Sequence, residues 1–253
     1  MIIVAILRVK NEARWIERCL RSLHFCDKVI VLDDHSTDAT PGIVVKLGAE
    51  LIRSPFEGLD EPRDRNLLLE RAAEFAPDWI VCPDGDEKFT AEATASLLEW
   101  VGRAVQSAPL EFITLSFPIL YLWNDEQTVR RDGVYREFRA VRAFEFRPSL
   151  RYPKGQGLPG FHCGTPESSL RMMRRKGFAP QGPLLHFGYI DAAERRRKFE
   201  FYRANDPGNQ LEDNYRHLTQ GDPGGEGAEV RLRHAGPLQL KSLDEVLCLT
   251  PSR

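Results

Sequence analysis

Two groups of carboxylates are the residues of this chain best placed to do chemistry: Asp33, Asp34 and Asp38 in VIVLDDHSTDAT, and Asp84, Asp86 and Glu87 in DWIVCPDGDEKF. Carboxylates gathered in a short loop are hard oxygen donors. One or two of them, with phosphate oxygens and water, suit Mg²⁺ or Mn²⁺, and the same groups accept hydrogen bonds from ribose hydroxyls and base N–H groups. Each group follows an apolar run of the length and composition of a buried parallel strand. Both should therefore emerge at the carboxyl ends of strands, where open α/β sheets hold their ligands. The combination points to a nucleotide and metal site. A DxD triplet alone is common, so the weight of this reading lies in two acidic clusters that each follow a strand.

The elements that must position these loops can be read from periodicity. Residues 1–7 and 28–32 read as strands. Asn11 is expected to cap a helix whose apolar positions Trp15, Ile16, Cys19, Leu20 and Leu23 recur at helical spacing. Pro41 suits a first helical turn and Gly48 a helix end before a strand at 49–53. A helix at about 64–75, a strand at 79–82, a helix at 91–108 and a strand at 112–117 repeat the alternation, which implies crossovers and a mainly parallel sheet. Residues 121–152 mix aromatic and basic side chains and read as antiparallel strands and loops. Helix returns at 192–203. The stretch GDPGGEG at 221–227 reads as a linker, and the tail after it as a hairpin or a docked segment.

The chain has 253 residues, 42% of them hydrophobic, enough to bury a sizeable core. Its net charge is −2, but Lys/Arg and Asp/Glu number 13 and 22 in residues 1–129, 17 and 7 in 130–203, and 5 and 8 in 204–253. The basic middle suits a diphosphate, an anionic acceptor or a membrane surface, or else a solvated face. The five cysteines are scattered without a CxxC pair, so neither a disulfide framework nor a zinc site is expected. The apolar start is too short for a membrane span and lacks the features of a signal peptide, which leads to an expected cytoplasmic location, with peripheral contact at the inner membrane face.

DDxSTD followed by DxD resembles the pattern of family 2 glycosyltransferases across residues 2–89. RDRNLLLERAAEFAPDWIVCPDGDEKFT is similar in particular to members that act in lipopolysaccharide core assembly. The resemblance implies the GT-A fold and transfer of a sugar from a nucleoside diphosphate. It makes Asp86 the metal ligand, Asp84 a contact to ribose or metal-bound water, and Asp34 a base contact supported by Asp33. Arg65 and Asn66 become donor-site residues. Arg8 and Lys10 stand at nucleoside-contacting positions where aromatic or hydroxyl residues are more usual, which leaves the base open. Glu167 in GFHCGTPESSLRMM matches the general base, expected to begin a helix, although Pro166 stands where similar members carry His; His162 is an alternative. His186, with Arg195 and Lys198, falls where the leaving diphosphate is contacted, and Tyr121, Trp123 and Tyr135 could form an acceptor platform.

The expectation is thus an α/β chain of the GT-A type, Rossmann-like, with a mainly parallel sheet and an antiparallel acceptor-side portion. Residues 1–220 would form the catalytic domain and 221–253 a linker and extension. Its activity would be metal-dependent, inverting transfer, with Mn²⁺ or Mg²⁺, from a nucleotide-diphosphate sugar donor to a saccharide or lipid-linked acceptor. Two alternatives stand beside it. A sugar-phosphate nucleotidylyltransferase would need a Gly-rich phosphate loop after the first strand, where LRVKNE stands. A non-catalytic nucleotide-sugar-binding module would not need Asp86 or Glu167. No nucleic-acid-binding module accompanies the basic segment.

Overall fold

The run IVAILRV forms β1, Ile3–Val9, buried along its length apart from Arg8. The structure is a computed structural model that describes residues 1–103, 110–153, 165–169, 173–206, 215–222 and 238–248. After β1 the chain builds α1, Ile16–Ser22, and then β2, Lys28–Asp33, which pairs parallel with β1 from Val4↔Lys28 to Val9↔Asp33. Helix α2, Thr40–Lys46, carries Pro41 in its first turn, and Gly48 at φ +78° turns the chain into β3, Glu50–Arg53, parallel to β2. Asp60 caps α3, Glu61–Ala73, by accepting from the Arg63 N–H at 2.9 Å. β4, Trp79–Val81, then pairs parallel with the other side of β1. β5, Glu87–Phe89, and α4, Ala91–Arg103, lead to the long strand β6, Glu111–Tyr121.

The chain divides into two compact units, Met1–Phe117 with Ala140–Pro183, and Pro118–Arg139 with Leu184–Arg253. In the first unit, β8, Arg139–Glu145, runs antiparallel to β4, so the sheet reads β3-β2-β1-β4-β8-β6. β9, Leu150–Arg151, and β10, Glu167–Ser168, form an antiparallel pair, and β11, Arg174–Phe178, lies parallel on β6. The core gathers Val4, Ile6, Ile30, Leu32, Ile80 and Phe144 from the strands around Leu68, Leu69 and Ala72 of α3. This is the expected α/β architecture, mainly parallel with an antiparallel strand.

The second unit contains β7, Thr128–Arg130, and β12, Leu184–His186, which is parallel to the end of β6. It also holds α5, Ala192–Asn205, capped by Asp191. β13, Leu240–Ser242, pairs antiparallel with β7 and continues into α6, Leu243–Cys248, so this part of the tail is docked. Trp123 and Tyr135 are buried, which corrects the expected acceptor platform: these rings pack on the guanidinium of Arg130 at 4.6 and 4.4 Å. Arg195 is likewise buried and paired with Asp222, not part of a solvated face. Residues 223–227 of the expected linker lie outside the described residues.

Candidate functional site

Because β1, β2 and β4 are parallel neighbours, their carboxyl ends, with Val9, Asp33 and Val81, share one edge of the sheet. Asp33 is fully buried there. Its Oδ2 accepts from Arg53 Nη1 at 2.8 Å and from the Ser36 N–H at 3.2 Å, while Oδ1 has no hydrogen-bond partner among the described residues. A buried, unpartnered carboxylate oxygen is costly unless something donates to it, so this atom is suited to a ligand hydroxyl or N–H. Asp34 accepts from Arg8 Nη2 at 2.5 Å and from Lys10 Nζ at 3.4 Å. Arg8 also donates through Nε to Asp64 at 2.9 Å, so one guanidinium ties the end of β2 to α3.

The rest of the DDHSTD loop serves as a clasp. Ser36 Oγ accepts from the Asn11 N–H, Thr40 Oγ1 from Glu12 N–H, and Asp38 Oδ2 from Ala13 N–H, at 2.8, 2.8 and 3.0 Å. In return, Asn11 Oδ1 accepts from the Thr37 N–H at 2.8 Å. Asn11, at φ +54°, is therefore a loop residue and not the helix cap expected from sequence; α1 starts after Trp15 without a side-chain cap. Partial burial pushes the Asp38 carboxyl up, but hydrogen bonds from the Thr40 hydroxyl and from the Thr40 and Ala13 N–H groups hold it below the ordinary value. Its part in the acidic cluster is structural.

The second cluster is a turn closed on itself: Glu87 N–H donates to the Asp84 carbonyl at 3.0 Å, and Asp84 N–H to Glu87 Oε2 at 3.1 Å. Two arginines from different elements grip it. Arg65 of α3 donates to Asp84 Oδ1 at 3.1 Å, and Arg142 of β8 to Asp84 Oδ2 at 2.6 Å. Arg142 also holds both oxygens of Glu87, at 2.6 and 2.7 Å. Burial pushes the Glu87 carboxyl up to about 7, against the downward pull of Arg142. Between the two gripped residues sits Asp86, itself buried. The turn lies close on β1 and α1: a Cβ on Gly85 would stand 2.9 Å from Val9 Cγ1, and Cys19 Sγ donates to the Asp84 carbonyl at 3.4 Å.

The other expected positions fall as follows. Arg65 is a buried helix residue, bonded to Glu61 as well as Asp84. Both ends of the Asn66 amide bond to the backbone of Tyr152, at 2.9 and 2.8 Å, so Asn66 ties α3 to the segment after β9. Glu167 is exposed on β10, opposite Arg151, which corrects the expected helix start: two-residue strand pairing is the local structure there. His162 lies outside the described residues. His186 belongs to the second unit, where its ring packs against Tyr121 and Tyr189, each at 4.7 Å. Sequence reasoning missed Arg142 and Asp64, which carry no local motif. Their only signal is a charge that burial would oblige to find a partner.

Among the described residues, no three His, Cys, Asp or Glu side chains form a ready-made metal cage. The donor set of the turn, Asp86 with Asp84, is hard oxygen. It fits a Mg²⁺-like or Mn²⁺-like cation that draws its remaining ligands from phosphate and water.

A mainly parallel α/β sheet with two acid-bearing loops at the carboxyl ends of its strands is an arrangement in which such sheets hold nucleotides. Residues 4–179 match the model for glycosyl transferase family 2, and the chain belongs to that family. An uncharacterized Mycobacterium tuberculosis protein is 29% identical over 221 residues, covering 82% of this chain and 51% of that protein. An uncharacterized glycosyltransferase of Rickettsia felis is 36% identical over 91 residues, covering 36% of this chain and 30% of the relative. The chain thus spans about half the length, or less, of the curated relatives it matches. Among solved structures, S. aureus TarS has a TM-score of 0.49 at 15% identity, over 81% of this chain and 40% of that one. Glucosyl-3-phosphoglycerate synthase from Mycobacterium tuberculosis, in complex with Mg²⁺ and uridine-diphosphate, has a TM-score of 0.35 at 22% identity, over 47% and 43%.

Proposed function

We propose that residues 1–220 form a domain that transfers a sugar from a nucleotide-diphosphate donor to a hydroxyl of a saccharide or lipid-linked acceptor, with inversion at the anomeric carbon. The observation that carries this reading is the pair of acidic strand ends on one edge of the sheet, with Asp33 Oδ1 buried and short of a donor at one of them and Asp86 buried in an arginine-gripped turn at the other. Asp34 and Arg8 together offer an acceptor and a donor to the edge of a base, and Asp33 accepts from the nucleoside. Asp84 contacts the ribose or metal-bound water, and Asp86 with Asp84 would hold Mn²⁺ or Mg²⁺, which when bound would neutralise the negative charge that builds up on the leaving diphosphate. Arg65 and Asn66 shape the donor side.

Inversion in one step needs a single base for the acceptor hydroxyl while the sugar carbon develops positive character. Glu167, an exposed carboxylate on β10, takes that proton in this proposal. The direct test is a thermal-shift and calorimetric screen of UDP, GDP, ADP, CDP and dTDP with and without Mn²⁺. One base should bind, and more tightly with metal; a chain that binds none of the five under either condition is not a nucleotide-sugar enzyme.

A further inference from the structure

We propose that Arg142 is the positioning residue of the Asp84–Glu87 turn, holding it in its ligand-ready shape before a donor arrives. The inference rests on the donor-site reading above. Three carboxylates within four residues, Asp84, Asp86 and Glu87, repel one another, and Glu87 is buried, where an unpaired charge is expensive. The turn can keep its shape only if cationic groups neutralise it from fixed directions.

Arg142 has the required geometry. The antiparallel register of β4 with β8 pairs Val81 with Ala143, and the Cys82 N–H donates to the Arg142 carbonyl at 2.9 Å, so residue 142 stands beside the point where β4 gives way to the turn. Its planar fork spans both ends of the turn: Nε and Nη2 take the two oxygens of Glu87, and Nη2 also reaches Asp84 Oδ2. Arg65 fixes the opposite oxygen of Asp84 from α3. Asp84 is thereby held from two elements, and the backbone that presents Asp86 is pinned on either side. A lysine would carry the charge but not the fork, so it could not bridge the two carboxylates in the same way. Without Arg142, a cation would have to assemble the turn as it binds, and the cost would fall chiefly on metal-linked affinity.

The test uses the full chain, Mn²⁺ and whichever diphosphate of the panel binds. Circular dichroism checks folding of Arg142→Gln, and calorimetry measures affinity with Mn²⁺ and with EDTA. The metal-linked affinity should fall by about 10- to 100-fold, as when partners of metal ligands are removed, while affinity in EDTA falls by clearly less. Arg142→Lys should recover only part of the loss. A folded Arg142→Gln protein with wild-type affinity in Mn²⁺, or one that weakens equally in Mn²⁺ and EDTA, overturns the assignment. If Arg142→Gln does not fold, Arg142→Lys carries the test, and undiminished metal-linked affinity in that variant overturns it. Absence of nucleotide binding by the wild type would instead remove the donor-site reading itself.

Discussion

Asp86 sits in the middle of a turn whose two flanking carboxylates are gripped by guanidinium groups, so its own carboxylate can be removed without undoing the grip. Asp86→Ala should therefore abolish the metal-dependent part of nucleoside diphosphate binding and leave the thermal unfolding midpoint nearly unchanged. Equal affinity in Mn²⁺ for variant and wild type, measured by calorimetry, would remove Asp86 from the metal shell. Asp34, held by Arg8 and Lys10 at the end of β2, is a different case. Asp34→Ala should weaken nucleotide binding with and without metal, and a defect seen only with Mn²⁺ would move it into the metal shell. Glu167→Gln keeps the shape of the side chain and removes the base. Turnover should drop by two or more orders of magnitude, about the range general bases supply, with donor affinity preserved. An active Gln variant would exclude Glu167.

At the scale of elements, the clasp between the DDHSTD loop and residues 11–13 decides how the ends of β1 and β2 are held together. Asp38→Ala leaves the Thr40 and Ala13 N–H groups to bond to water and should cost about 0.5–1.5 kcal/mol in urea unfolding. The second unit relies on a buried polar knot. Arg130 donates to both oxygens of Asp132, to Gln220 and to the His217 carbonyl, and Asp132 in turn accepts from the Gln239 N–H beside β13. Arg130→Ala would leave Asp132 buried without its cation and should destabilise by about 3–5 kcal/mol. A shift below about 1 kcal/mol would show that solvent reaches Asp132 in the variant.

For the whole molecule, the +10 of residues 130–203, 17 cations against 7 anions, is not one basic face. Arg142 is neutralised by Asp84 and Glu87, Lys176 by Glu111, Arg130 by Asp132 and Arg195 by Asp222. Arg174, Arg175 and Lys176 nevertheless stand exposed on β11. No helix among the described residues is long and apolar enough to cross a membrane. If the acceptor is anionic or lipid-linked, these three residues are the attachment surface, Arg174 and Arg175 contributing about 1 kcal/mol each at an anionic bilayer and Lys176 less, because it is paired with Glu111. The chain should then co-sediment with anionic vesicles at low salt and be released at moderate salt, and neutralising the three residues should abolish the effect. No sedimentation at either salt concentration would separate the acceptor from the membrane.

The positions of the candidate site's carboxylates at strand ends follow from local pattern in the chain. Apolar runs of strand length, helical spacing at Trp15, Ile16, Cys19, Leu20 and Leu23, Pro41 and Gly48 are local statements about burial and backbone, and each holds in the structure. Parallel pairing then follows from the alternation of strand and helix, and it places Asp33, Asp34 and Asp84 at one edge. Which groups those carboxylates meet depends on long-range packing. Asn11 reads as a cap because its side chain accepts from any N–H in reach, and the N–H in reach belongs to Thr37, 26 residues away. Resemblance to the family makes Glu167 a helix start, yet Arg151 lies across from it and makes it a strand residue. Arg142 carries no motif at all. Its partners are fixed by the register of β8 on β4, a relation between segments about sixty residues apart that periodicity within either segment does not encode.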